Sequence, residues 1–113
     1  MVTNKLKVIK DYEKLTKELR EQIKLVYPEG YADHLYEIAT TKGKIITVLP
    51  FETFDKIYLI RMSSNEAVLL IEDDNDYDTH GNLKTTVRGK YEDKHSDVGY
   101  LSENENYEEL QDV

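Results

Sequence analysis

Two strand-like runs set close together decide most of what this chain can fold into. Lys44–Leu49 and Phe54–Met62 are rich in β-branched and aromatic residues, which suit a pleated, half-buried surface. His34–Thr40 precedes them and carries Leu35, Tyr36 and Ile38. Thr41-Lys42-Gly43-Lys44 separates the first two runs, and its glycine supplies the positive φ of a tight hairpin. Pro50-Phe51-Glu52-Thr53 separates the second run from the third, and Pro50, lacking an N–H, should end the second strand. The spacing predicts a three-stranded antiparallel meander. With Lys42-Gly43 at the centre of the first turn, Thr40 faces Ile45, Ile38 faces Thr47 and Tyr36 faces Leu49. Neither resulting face is polar throughout, and a sheet with one wet face alternates more cleanly than this. Helices are expected to cover one face fully and the other in part, with self-association as a second source of cover. A slip of one residue would exchange the faces.

Helical periodicity surrounds this centre. Tyr12, Leu15, Leu19, Ile23 and Val26 make one apolar face of a helix predicted over Asp11–Tyr27, capped by Asp11 and ended by Pro28 and Gly30. Lys10, Lys14, Lys17, Arg20 and Lys24 fall opposite, as a solvated face or as a dock for something acidic. Ser63-Ser64-Asn65-Glu66 fits a capping box and predicts a short, buried helix over Ala67–Ile71. Asp73–Asn82 reads as a loop. Leu83–His95 reads as a helix capped by Asn82, with Leu83, Val87 and Tyr91 on one face, weakened by Thr85, Thr86 and Gly89. From Ser96 the chain is polar and acidic, which predicts disorder. The fold class expected is α+β: an N-terminal helix, the meander, and one or two shorter C-terminal helices. These form a single domain over residues 1–95, followed by a disordered acidic tail over 96–113.

Charge and cysteine usage narrow the function. The 113 residues carry a net charge of −8, unevenly placed. All 15 Lys and Arg precede Ser96, and Glu66–Asp78 holds six carboxylates with no basic residue. The acidity belongs to two segments, and direct nucleic-acid binding, which needs basic charge to displace counterions, is not expected. With no cysteine, disulfides, thiolate metal sites and cysteine nucleophiles are excluded. The start lacks an apolar leader, and the longest apolar run, Ala67–Ile71, is too short to span a bilayer. A cytoplasmic protein without membrane attachment is expected.

The sharpest local signal is Asp73–Gly81. Asp74, Asp76 and Asp78 alternate, and alternating carboxylates in a loop can converge on a hard cation. Counted as an EF-hand from Asp76, Gly81 and Leu83 fit, but His80 is a poor ligand and Val87 stands where the bidentate glutamate belongs. A weak Ca2+ or Mg2+ site at Asp74, Asp76 and Asp78 is the most this loop supports. The competing reading is a solvated acidic turn, though carboxylates at a helix C-terminus oppose its dipole. His34, His80 and His95 lack zinc-pair spacing, the serines lie in no nucleophile elbow, and no glycine loop cradles a phosphate. No catalytic residues and no cofactor are expected. Nine tyrosines and no tryptophan favour half-buried and interface positions. Tyr31 and Tyr58 beside the sheet are candidate interaction residues, as are Tyr107 and Leu110, small apolar islands in the acidic tail.

The segments Leu49-Pro50-Phe51-Glu52-Thr53, Tyr58-Leu59-Ile60-Arg61-Met62 and Tyr91-Glu92-Asp93-Lys94, with the acidic loop between them, resemble a group of short acidic bacterial proteins without an established activity. The resemblance covers residues 5–95 and implies no functional residues. The residues point to a small non-enzymatic interaction or regulatory module with a protein partner, able to form a homo-oligomer. The alternatives are a divalent-cation-binding protein using the loop and an acidic decoy of nucleic acid.

Overall fold

The computed structural model describes residues 5–102 and 104. It is α+β, with strands β1 (Leu6–Asp11), β2 (Tyr36–Ala39), β3 (Ile45–Glu52) and β4 (Lys56–Arg61), and helices α1 (Lys17–Val26), α2 (Ser64–Glu72) and α3 (Thr85–Lys94). Short 3-10 turns lie at Tyr12–Lys14 and Ala32–His34. The strands form one mixed sheet in the order β1-β4-β3-β2.

The expected antiparallel meander is its core, but a fourth strand precedes the first helix. β1 pairs in parallel with β4, from Leu6↔Lys56 to Asp11↔Arg61. Asp11 is therefore the last residue of a strand and caps nothing; its carboxylate accepts from Arg61 at 2.9 Å. The helix begins at Lys17, and the Thr16 hydroxyl accepts from the Leu19 amide at 3.2 Å as its cap. Tyr12 and Leu15 reach the same core as Leu19 and Ile23 from outside the helix, which is why helical spacing runs on through them.

The hairpin differs by one residue. Thr40 and Lys44 close a loop of three residues, with the Thr40 amide donating to the Lys44 carbonyl at 2.8 Å and Gly43 at φ +80°. A left-handed residue ending a three-residue loop is a favoured hairpin geometry. The register becomes Tyr36↔Val48, Ile38↔Ile46 and Ala39↔Ile45. Tyr36 and Ile38 thus share a face with Val48, while Leu49 and Phe51 take the other.

β3 also runs through Pro50 to Glu52 instead of stopping. β2 ends opposite Val48, so the edge beyond it has no neighbouring strand and the missing N–H of Pro50 costs no ladder bond. Side chains complete that edge. The Tyr27 hydroxyl donates to the Pro50 carbonyl at 2.5 Å. Asn104 accepts from the Glu52 amide at 2.7 Å and donates to the Glu52 carbonyl at 2.9 Å, as a paired strand would. Beyond residue 95, Tyr100 and Leu101 pack on the core as well.

The helices gather on one face, where Leu49, Phe51, Ile60 and Met62 meet Leu15, Ile23, Ala67 and Ile71. The capping box of α2 forms as its sequence predicts, with Glu66 N to Ser63 Oγ at 3.1 Å and Ser63 N to Glu66 Oε1 at 2.9 Å. α3 starts later than expected. Leu83 is buried ahead of it in a bridge with Tyr77 and Asn82 does not cap it. Among the described residues no helix is long and apolar enough to cross a membrane.

Candidate interaction surface

The acidic loop closes on a cation that the chain itself supplies. Lys24 Nζ on α1 lies 2.7 Å from Asp74 Oδ2 and 2.8 Å from Asp76 Oδ2. Tyr91 on α3 donates to the same Asp76 oxygen at 2.7 Å. Burial alone would lower the Lys24 ammonium, but Asp74 and Asp76 outweigh it and hold it above its ordinary range. Burial likewise works against the charged form of Asp76; Lys24 and Tyr91 prevail and hold that carboxyl below its usual range. Tyr91 is pushed up to about 12 by burial and by the Asp76 carboxylate. Asp78 points elsewhere, its Oδ1 accepting from the amides of His80 and Asn82 at 2.9 and 3.0 Å. Among the described residues no group of three His, Asp or Glu side chains is arranged to hold a metal ion. Of the basic residues expected on one helix face, Lys24 meets acid, and that acid is the chain's own loop; Lys10 and Lys14 lie ahead of α1.

Behind the loop lies a cluster of tyrosines. Tyr12 and Tyr31 share a hydroxyl–hydroxyl bond of 3.0 Å, and Tyr77 Oη donates to the Tyr27 carbonyl at 2.9 Å. The ring of Tyr31 sits 5.7–6.3 Å from those of Tyr12, Tyr27 and Tyr77. Burial raises the Tyr31 and Tyr77 hydroxyls well above the ordinary phenol range. Tyr31, a candidate interaction residue by sequence, is only 1% exposed and serves the core. Tyr58 is half-buried against the same core. Tyr107 and Leu110 lie outside the described residues.

A second polar cluster ties α3 to α1. His95 Nε2 lies 2.9 Å from Glu21 Oε1, and its Nδ1 lies 3.4 Å from Gln22 Nε2. Tyr100 Oη donates to Gln22, and Lys94 Nζ reaches Glu21 at 2.9 Å. Burial opposes the Glu21 charge, yet Lys94 and His95 hold its carboxyl below the ordinary range. Both ring nitrogens of His95 are engaged inside the protein, so neither faces a substrate. Every buried side-chain polar atom among the described residues has a partner, and the cluster reads as a clasp between helices.

The exposed surface around α2 is of a different kind. Val68 and Leu69, in the middle of that helix, are 45% and 53% exposed. On one side an open cleft of about 810 Å³ runs between α2, the turn at Ala32–His34 and the loop, with Ala67, Ile71, Tyr31 and Tyr77 among its walls. Glu29, Asp33, Glu72, Asp74 and Asp78 rim it, against Lys84 and His80. On the other side a cleft of about 530 Å³ is lined by Tyr12, Leu69 and Leu70 with Glu66, Asp73 and Asp74. The wall between helix and loop depends on two glycines. Gly30 and Gly81 have φ of +100° and +82°, and a Cβ on either would stand against Ile71 at 3.7 and 4.0 Å. The sequence carried half of this surface: the carboxylate run was visible, but the outward turn of Val68 and Leu69 was not. A helix of five apolar residues in a row shows no preferred face.

No protein-family model matches the chain, and neither a curated protein nor a solved structure matches it at a significant level.

Proposed function

We propose that the protein is a non-enzymatic interaction module that grips a basic polypeptide segment with apolar anchors along α2. The observation that carries this is the exposed pair Val68 and Leu69, set between two clefts whose rims are acidic. Apolar side chains exposed together and ringed by polar groups favour association. The apolar centre supplies affinity and the charged rim supplies orientation and speed of encounter. A nucleic-acid-binding protein deceived by carboxylates alone would need no such apolar ridge, which favours this reading over an acidic decoy. The committed ion pairs of Lys24 with Asp74 and Asp76 favour it over a divalent-cation site.

The test is calorimetric titration with three designed peptides of equal length: one alternating Lys and Leu, one with Lys replaced by Glu, and one with Leu replaced by Ser. Only the Lys–Leu peptide is expected to bind, and to weaken with added salt. Leu69→Glu should lower its affinity at least about tenfold, roughly 1.4 kcal/mol, without lowering the melting temperature, because the side chain stands in solvent. Equal binding of the Glu–Leu peptide, or indifference to Leu69→Glu, would contradict the proposal.

A further inference from the structure

The sheet ends in two edge strands, and they are built differently. β1 carries Lys7 and Lys10, both exposed. Lysines along an edge strand keep other strands away. β2, at the other edge, consists of Tyr36, Glu37, Ile38 and Ala39 and holds no basic residue. Tyr36 is 43% exposed, Glu37 and Ala39 are exposed, and Ile38 is half-buried. Tyr36 and Ile38 belong to the outer face of the sheet, the side away from the helices, with Ile9, Ile46, Val48 and Ile57.

The ladder to β3 fixes which backbone groups of β2 are already used. The Thr40 amide donates to the Lys44 carbonyl at 2.8 Å, and the register continues through Ile38↔Ile46 and Tyr36↔Val48. Antiparallel bonding alternates, so Thr40, Ile38 and Tyr36 turn their N–H and C=O groups toward β3. Glu37 and Ala39 turn theirs outward, where no strand among the described residues meets them.

Charge along this edge runs in one direction. Asp33 and Glu37 mark the end where the chain enters β2, and Lys42 and Lys44 mark the hairpin tip where it leaves. All four are exposed, and none makes an ion pair among the described residues. His34, beside Asp33, packs its ring on Tyr27, 4.9 Å between centres.

We propose that β2 pairs antiparallel with β2 of a second copy of the chain, about a two-fold axis at Ile38. Glu37 and the partner's Ala39 then exchange both backbone bonds, and their symmetry mates do the same. Ile38 meets the partner's Ile38 on the outer face, and Tyr36 stands opposite the partner's Thr40. An axis at Glu37 would set two carboxylates directly opposite each other. An axis at Ala39 would carry Tyr36 past the end of the partner's strand. Antiparallel order also brings the acidic end of each edge to the basic tip of the other, Asp33 toward the partner's Lys42, whereas parallel order would bring acid to acid. The outer face becomes continuous across both copies. The paired edge is short, so the association depends on concentration.

Sedimentation equilibrium of the full chain, at near-physiological salt and up to millimolar concentration, is expected to show monomer in equilibrium with dimer. Over the same range, hydrogen exchange at the Glu37 and Ala39 amides should slow while the β1 amides stay unchanged. Ala39→Pro removes an outward N–H and no bond to β3, so it should abolish the dimer and leave the β3 ladder intact. Lys42→Glu should weaken the dimer about tenfold, and adding Asp33→Lys should restore it. That charge reversal changes no strand residue, so it decides the matter even where the proline variant fails to fold. A chain that stays monomeric throughout, a dimer that survives Ala39→Pro in folded protein, or a double reversal that recovers nothing would overturn the proposal. So would slowed exchange at β1, or loss of the dimer on Leu69→Glu, since either assigns the contact to another surface.

Discussion

At the scale of single residues, Lys24 does the work that the alternating aspartates invited a metal to do. Its ammonium sits between Asp74 and Asp76, and its side chain is 12% exposed. Removing one partner from such a group leaves charges facing each other in a poorly hydrated place. Lys24→Met is therefore expected to destabilise the protein by about 2 kcal/mol, below the value for fully buried pairs because water still reaches the carboxylates. Urea unfolding checks this. The pH dependence has a definite sign. Asp76 and Glu21 are held below their ordinary values of 3.8 and 4.5. A depressed folded value gives stability that is complete above the ordinary value and is lost as pH falls toward the folded one. The native protein should lose stability on acidification below about pH 4.5, and Lys24→Met should show a shallower acid limb because Asp76 has lost its partner. With Lys24 in place, millimolar Ca2+ or Mg2+ should leave the melting temperature unchanged; a rise would restore the cation reading of Asp74 and Asp76.

At the scale of elements, the chain's own patterning was legible wherever one interaction dominated. The capping box of Ser63 and Glu66 formed as its spacing required, and β-branched runs became β3 and β4. Reading failed where distant groups decided. β1 was invisible because Leu6, Val8 and Ile9 straddle both faces of an edge strand among lysines. Its parallel partner lies about fifty positions away in sequence. The hairpin register turned on whether the loop holds two residues, Lys42-Gly43, or three, Thr41-Lys42-Gly43, a choice made by Gly43 taking a left-handed φ. Asn104 sits in a polar, acidic stretch that reads as tail, yet its amide replaces a missing strand beside Glu52. Asn104→Ala should strand that amide and carbonyl and cost about 2 kcal/mol, with faster hydrogen exchange at Glu52 as the local sign. Gly30→Ala should cost about 1–2 kcal/mol from the backbone alone, since the added Cβ meets Ile71 only at ordinary contact distance.

At the scale of the whole molecule, two apolar surfaces of different electrostatic setting share one small domain. The outer sheet face balances Lys7 and Arg61 with Asp11 and Glu52, while the α2 ridge lies between clefts rimmed by carboxylates. The net charge of −8 hides this separation. The most direct measurement is a methyl NMR titration of the full-length protein with the Lys–Leu peptide. Shifts confined to Val68, Leu69, Leu70 and Ile71, with the sheet methyls of Ile9, Ile46 and Ile57 unmoved, are the expected result. Shifts centred on the sheet face, or none at a peptide concentration that saturates the calorimetric signal, would contradict the assignment of α2 as the binding surface.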